Sequence, residues 1–555
     1  MGKGELLLDT RCISSLVKVF ADEELHAPSV KSGTALLGEV YSFQVAYRNR
    51  GQLGKMSVSV QSAFGGSVML REAGLVPAEL TGYHDQDSDV IRTTPGLYPD
   101  PLFPLKEEGL TAFPDQWRAL WVTVTIPEDS AGGEHPIKIL FLSEDGSPLA
   151  AETFVLEVIG ESLPEQTLIH TEWFHSDCLA VHYNVDVFSE AHWKLIGSYV
   201  KTAAGHGVNM ILTPLFTPPL DTAPGAERPT VQLVGVKKTN DSYEFSFELL
   251  EKWIDLCSER GIQFFEFSHF FTQWGAGHAP KIMATEEGSY HRIFGWETDA
   301  AGEEYTHFLS QLLPELIGFI KSRNLEKQVY FHVSDEPRKE HLGSYKKASE
   351  IIHRYLADFP VIDALSDFEF YKSGIVRNPI PSSDHIEEFI QQAVPDLWTY
   401  YCCEQYKKTA NRFINFPSAR SRILGMQLYK FNIKGFLHWG YNFWFSRLSR
   451  SRIDPYRNTD AGYGFPAGDP FLVYPGEEGA VESIRLEVFF DALQDLRALQ
   501  LLGGLIGRDE VIEMLESGLD EPITFTQYPQ GPEWLLGMRE KINRRIAAEK
   551  AGLAI

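Results

Sequence analysis

From the N-terminus to about residue 160, apolar and polar side chains alternate in short runs, and turn residues break the runs. Val40-Tyr41-Ser42-Phe43-Gln44-Val45-Ala46-Tyr47-Arg48 and Met56–Val60 read as strands. In Trp117–Ile126, Leu120, Val122, Val124 and Ile126 fall on one face. Pro127-Glu128-Asp129 ends that run, and Gly132-Gly133 turns the chain into Pro136–Phe141. Thr153–Ile159 gives a further strand. Short alternating strands with turn punctuation predict a β-sandwich over 1–160. Gly82–Asp115, rich in Pro, Asp and Gly, reads as a long loop.

After the linker Gly160–Glu165 the period changes. Amphipathic helices now alternate with short apolar strands. Ser189 can cap a helix carrying Trp193, Ile196, Val200 and Ala203, followed by the strand Val208–Leu212. Phe247–Arg260 and the strand Ile262–Phe267 repeat the plan. Tyr305, Phe308, Leu309, Leu312, Leu313, Leu316, Ile317 and Ile320 form a helical stripe, with a kink or restart expected at Pro314. That helix leads to Gln328–Ser334. Further strands are expected at Val361–Leu365, Leu397–Cys402, Ile423–Tyr429 and Gly435–Trp439, with helices at Ser344–Ala357, Ser383–Gln392 and Asn411–Ser418. With a first strand at Leu168–Trp173 this makes about eight βα units, which suits an α/β fold of the closed (β/α)8 TIM-barrel kind over 165–480. A doubly wound open sheet is the alternative, without a GxGxxG or Walker pattern to support nucleotide binding. Glu482–Leu502, Glu510–Glu516 and Glu533–Glu549 predict a C-terminal helical segment over 481–555.

The length of 555 residues is too great for one core. Lysine and arginine number 50 against 76 acids, a net charge of −26, and no long basic run occurs. A nucleic-acid backbone or an anionic membrane is therefore not an expected partner. Five cysteines without a CxxC pair argue against a disulfide framework or a zinc knuckle. The N-terminus shows no signal-peptide pattern and no apolar run reaches membrane-spanning length, so a cytoplasmic protein is expected.

The chemistry concentrates at Val329-Tyr330-Phe331-His332-Val333-Ser334-Asp335-Glu336-Pro337. This strand runs out into two adjacent acids, which repel each other and prefer water unless something holds them. In a barrel, catalytic groups sit at strand C-termini. With Val329, Phe331 and Val333 facing the helices, Tyr330, His332, Ser334 and Glu336 face the axis. Pro337 biases Glu336 toward an extended backbone, and Asp335 can join it only if the chain bends at Ser334–Glu336. Two such carboxylates suit glycoside hydrolysis. Ordinary retaining enzymes space their pair at about 5–5.5 Å, usually on different strands, whereas sequence neighbours fit a scheme in which the substrate's own 2-acetamido group is the nucleophile. Around them, Trp173 and His175 follow the first strand, His269 and Trp274 the third, and Asp367 and Glu369 the fifth. Each histidine alone is more often a hydrogen-bonded structural residue than a catalyst. Gly435–Trp444, with Trp439 and Trp444, is either a sugar-stacking wall or a packed loop core. Tyr400-Tyr401-Cys402-Cys403-Glu404 also ends a strand, its cysteines reading as small buried hydrophobes. No metal or other cofactor is expected.

Three stretches taken together resemble glycoside hydrolase family 123 and the broader domain of unknown function 4091. They are Val333–Pro337, Gly435–Trp444, and Asp469-Pro470-Phe471-Leu472-Val473-Tyr474-Pro475-Gly476 followed by Ser483-Ile484-Arg485-Leu486-Glu487. The resemblance spans about Trp117–Leu502. It implies a β-N-acetylgalactosaminidase acting by substrate-assisted retention, with a glycan or glycoside as partner. Asp335 would stabilise the acetamido group and Glu336 would be acid/base, and the aromatic subsite would fall among Tyr401, Trp439 and Trp444. Two other readings stay open: a carbohydrate-binding protein with a degenerate site, or an ordinary glycosidase pairing Glu336 with a distant acid such as Asp367 or Glu404.

Overall fold

A computed structural model describes residues 7–552. The fold is mixed α/β, and its elements gather into two units. One comprises residues 1–166, 406–431 and 481–555, the other 167–405 and 432–480.

In the first unit, two five-stranded sheets share one core. The first runs in the order Leu8–Ser14, Val40–Asn49, Trp117–Thr125, Ser67–Ala78, Gly96–Pro104. The second runs Ser32–Leu37, Pro148–Ser162, Gly133–Ser143, Gly54–Ser62, Leu110–Ala112. The alternation read from the sequence places the core as expected. Leu120, Val122 and Val124 pack with Ile137, Ile139, Phe154 and Leu156, and Phe43 stacks on Phe154 at 4.1 Å. Gly82–Asp115 is not all loop, because Gly96–Pro104 and Leu110–Ala112 join the two sheets as strands. The C-terminal helices Ile484–Ile506 and Pro532–Lys550 gather with this unit. Buried arginines bind them in: Arg422 to Asp495 at 2.7 and 2.8 Å and to Asp491 at 3.2 Å, Arg539 to Asp495 at 2.7 Å and to Glu39 at 2.6 Å. Ion pairs out of water cost desolvation, and each of these arginines is shared between two acids, which recovers it.

The second unit holds the parallel strands. Six form one sheet in the order Val329–Tyr330, Phe264–Phe267, Met210–Thr213, Ile169–Glu172, Gly435–His438, Trp398–Tyr400. Ile362–Ala364 and Asn378–Ile380 form a parallel pair. Single parallel bridges join Phe331 to Val361 and Ser382 to Tyr400. Alternate side chains of these strands (Met210, Leu212, Ile362, Ala364, Ile380, Trp398, Tyr400, Leu437) meet in one apolar cluster. Ile423–Tyr429, expected as a strand, is helical: Ser418–Arg422 and Leu424–Lys430 form two short helices of the first unit. Leu424 to Tyr429 are buried on every side, so no polar face marks a helical period. A strand stands instead at Asn378–Ile380, too short to show alternation. Asn411–Phe416 is irregular, and the next helix is shorter than expected, Glu387–Gln391. Pro314 lies within one continuous helix, Glu303–Ser322, with no restart. A four-stranded sheet over Gly235–Thr239, Ser242–Ser246, Ile282–Glu286 and Ser289–Phe294 decorates this unit.

Candidate active site

The strand that begins at Val329 pairs with Phe265 and Glu266, then leaves its ladder after Phe331. Side chains take over the backbone groups. The Val333 N–H donates to the Asp363 carboxylate at 3.1 and 3.3 Å, and the Ser334 hydroxyl donates to the Thr272 carbonyl at 2.8 Å. The Trp274 N–H donates to the Asp335 carbonyl at 3.0 Å, and the Glu336 N–H to the Ala364 carbonyl at 3.1 Å. The chain bends here as two adjacent inward acids require, but not with an extended Glu336. Its φ is 42°, in the left-handed region despite Pro337. Such a backbone costs a non-glycine residue about 1–2 kcal/mol. The anchors on either side of it hold the turn.

Asp335 and Glu336 are both half-buried and both line a cavity of about 100 Å³. Trp173, Trp274, Tyr400, Trp439 and Phe465 supply its aromatic wall, and Cys402, Cys403 and Asp221 complete much of the rest. The Tyr400 hydroxyl donates to Glu336 Oε1 at 2.8 Å. A larger cavity of about 720 Å³ also reaches Glu336 and Tyr400, and is lined by Asp367, Asp384, Glu388 and Glu404 among others. Burial pushes the Asp335 carboxyl well above the usual range and the Glu336 charge pushes it further, while His332 opposes both. Burial also raises Glu336, against the Tyr400 hydrogen bond. The two acids titrate as a pair, so a proton stays between them at pH values where isolated carboxyls have lost theirs.

Beneath this pair, His332 is fully buried between two acids. Its Nε2 lies 2.6 Å from Glu266 Oε1 and its Nδ1 3.1 Å from Asp363 Oδ1. Burial works against a charged ring, but the hydrogen bonds to Asp363 and Glu266 outweigh it and raise His332 to about 9. Glu266 also accepts from Thr171 Oγ1 at 2.5 Å and from Trp173 Nε1 at 2.7 Å. Asp363 also accepts from the Tyr345 hydroxyl. His269, His332 and Asp363 offer ligand atoms within 4.8 Å of one another. They do not fit a metal centre. His269 stacks on His332 with ring centroids 4.2 Å apart and planes at 25°, so their lone pairs run side by side rather than converging, and both His332 nitrogens are taken.

The remaining sequence candidates separate. Trp173 and Trp439 line the cavity, with Trp439 Nε1 donating to Asp469 at 3.0 Å. His175 lines it too, as a neutral ring: Nε2 donates to the Trp439 carbonyl at 2.9 Å and Nδ1 accepts from Arg228 at 3.2 Å. Burial and the Arg228 charge lower it to about 3. His269 lies behind the wall, edge-on to Trp173 at 5.4 Å. Asp367 lines only the larger cavity and caps the helix Phe368–Lys372. Two expectations are corrected. Tyr401 is fully buried against Phe436 and His438, because strand alternation sends Trp398 and Tyr400 inward and Tyr401 outward. Trp444 is buried against Tyr199 and His182, with its indole N–H on the Val473 carbonyl at 3.4 Å. Glu266, Asp363 and Tyr400 were missed as site residues. Their signal is a buried acid or hydroxyl within an otherwise apolar strand, as in Phe264-Phe265-Glu266-Phe267 and Ile362-Asp363-Ala364.

The family model of the glycoside hydrolase 123 catalytic domain matches residues 173–502. Among solved structures, a family 123 glycoside hydrolase from Clostridium perfringens, described for glycolipid glycan hydrolysis, superposes with a TM-score of 0.74 at 16% identity, covering 98% of each chain. An Ig-like-domain-containing GH10 xylanase from termite gut matches at a TM-score of 0.33 and 9% identity, over 85% of this chain and 100% of that one. No curated protein matches the sequence.

Proposed function

Because the chain belongs to glycoside hydrolase family 123 and is a glycoside hydrolase, we propose that it releases a terminal β-linked N-acetylgalactosamine, or another 2-acetamido sugar, by retaining, substrate-assisted catalysis. The observation that carries this reading is the shared cavity: Asp335 and Glu336 meet in one small aromatic pocket through the left-handed turn at Glu336. Asp367 and Glu404, the partners an ordinary two-carboxylate mechanism would use, share the larger cavity with Glu336 but do not line the small pocket where Asp335 meets it.

In this mechanism the acetamido carbonyl oxygen attacks C1 as the glycosidic C–O bond breaks. Glu336 gives its proton to the leaving oxygen. The acetamido nitrogen develops positive charge in the resulting oxazolinium ion, and its N–H donates to the Asp335 carboxylate, which stabilises that charge. Glu336, now ionised, removes a proton from water as it attacks C1, the C1–O bond of the oxazolinium ring breaks to restore the acetamido carbonyl, and two inversions give retention. Substrate decides where the shared proton sits. An amide N–H facing Asp335 favours the anion there, and the proton then belongs on Glu336. The scaffold is read as one (β/α)8 ring. This is supported by the six-stranded parallel sheet, the parallel pair, and the bridges Phe331–Val361 and Ser382–Tyr400 that lie where the two would join.

The test compares hydrolysis of aryl β-N-acetylgalactosaminide, β-N-acetylglucosaminide and β-galactoside. Turnover of a 2-acetamido sugar, with inhibition by its thiazoline analogue, is expected. Turnover of the unacetylated galactoside alone would refute the proposal.

A further inference from the structure

His332 stands three residues before Asp335, with no exposed surface. Each of its ring nitrogens faces a different carboxylate, and a neutral imidazole has only one N–H to give. Both contacts are satisfied as donations only when the ring is an imidazolium. Neither acid is free to turn away. Glu266 is fixed by Thr171 and Trp173, and Asp363 by the Val333 N–H and the Tyr345 hydroxyl. The third neighbour, His269, lies flat on the ring and finds no hydrogen-bond partner for either nitrogen among the described residues. Burial and the His332 charge hold His269 well below its ordinary value, so it brings no second cation. The assembly draws on strands that lie far apart in sequence, and Trp173, which it holds, is also cavity wall.

We propose that His332, clamped as an imidazolium between Glu266 and Asp363, is a positioning residue whose fixed charge favours the Asp335 carboxylate, so that bound substrate leaves Asp335 ionised and the proton on Glu336. The inference rests on the assignment of Asp335 as acetamido stabiliser. Without the cation, Glu266 and Asp363 would lie under the catalytic pair as two uncompensated anions. Asp335 feels every member: Glu336, Asp363 and Glu266 raise it and His332 lowers it. Removing His332 and removing Glu266 must therefore move Asp335 in opposite directions, which a merely structural role does not require.

The experiment measures the pH dependence of kcat/KM on aryl β-N-acetylgalactosaminide for the wild type, His332→Gln and Glu266→Gln. The acidic limb, where Asp335 must be ionised, is expected to rise by about one unit or more in His332→Gln. It should fall in Glu266→Gln. Activity lost uniformly across pH, with the acidic limb unmoved, would overturn the proposal. If His332→Gln does not fold, Glu266→Gln still decides once the ¹⁵N spectrum of that variant shows His332 doubly protonated, because a limb that then stays or rises contradicts the assigned charges. A separate reading needs no substrate. In histidine-labelled wild-type protein, the ¹⁵N resonances of His332 should show both ring nitrogens protonated through pH 8. A neutral ring there overturns the inference whatever the enzyme hydrolyses, whereas a doubly protonated ring with no turnover of 2-acetamido sugars locates the failure in the proposed function.

Discussion

Replacing Glu336 by Gln isolates the acid/base step, because the structure lets the fold survive it. The glutamine is isosteric and can keep the Tyr400 contact through its own carbonyl oxygen, and the turn is held by the Glu336 N–H on the Ala364 carbonyl, which is backbone. The φ of 42° is no harder for Gln than for Glu. Stability should therefore change little, and the loss should be chemical. General acid–base catalysis contributes about 10²- to 10⁴-fold, or roughly 3–5 kcal/mol of barrier. A sugar or methyl leaving group needs its oxygen protonated as the bond breaks and bears the whole loss. A dinitrophenolate leaves unprotonated, so its first step should fall by less than about tenfold. The assay compares kcat/KM for the two leaving groups, with thermal unfolding as control. In the variant the alkaline limb, set by loss of the Glu336 proton, should vanish. Equal losses for both leaving groups, or an alkaline limb that persists, would refute the assignment.

Asp335→Asn should lower kcat on 2-acetamido substrates by about 10²- to 10³-fold, as expected for one group facing developing charge, and steady-state kinetics would show it. Tyr400→Phe removes the hydrogen bond that lowers Glu336, so the Glu336 carboxyl rises further. The alkaline limb of the pH–rate profile should then move to higher pH, and a downward move would contradict the contact. In the first unit, burial raises Asp491 to about 7 from 3.8, against the Arg422 charge. A raised acid holds its proton more tightly when folded, so its stabilising contribution is complete at low pH and is lost as pH rises through about 7. The Tm of Asp491→Asn relative to wild type should accordingly climb between pH 4 and pH 8, and a constant difference would show that Asp491 is ionised throughout.

Much of the site was legible from the chain itself. The period-two run through Val333 that stops at Asp335-Glu336-Pro337 marked a strand end carrying acids. The alternation of Leu120, Val122 and Val124 identified the face that packs inward. Local reading failed where burial is complete. Leu424–Lys430 has no exposed face, so nothing in its pattern separates a buried helix from a buried strand. Tyr400 and Tyr401 are indistinguishable as neighbours, and strand parity alone sends the first to the cavity and the second into the core.

The sequence by itself determined which segments prefer strand or helix, where two acids end a strand, and the family the ordered motifs belong to, because these depend on residue types close along the chain. Only the tertiary structure decided what surrounds the acids. It set Glu336 in a left-handed turn that Pro337 argued against, since hydrogen bonds to Ala364 and Tyr400 outweigh a local preference. It also brought Thr171, Glu266, His332 and Asp363 together under Asp335. Charges buried in low dielectric take their protonation from such neighbours, and those neighbours come from strands that only the fold makes adjacent.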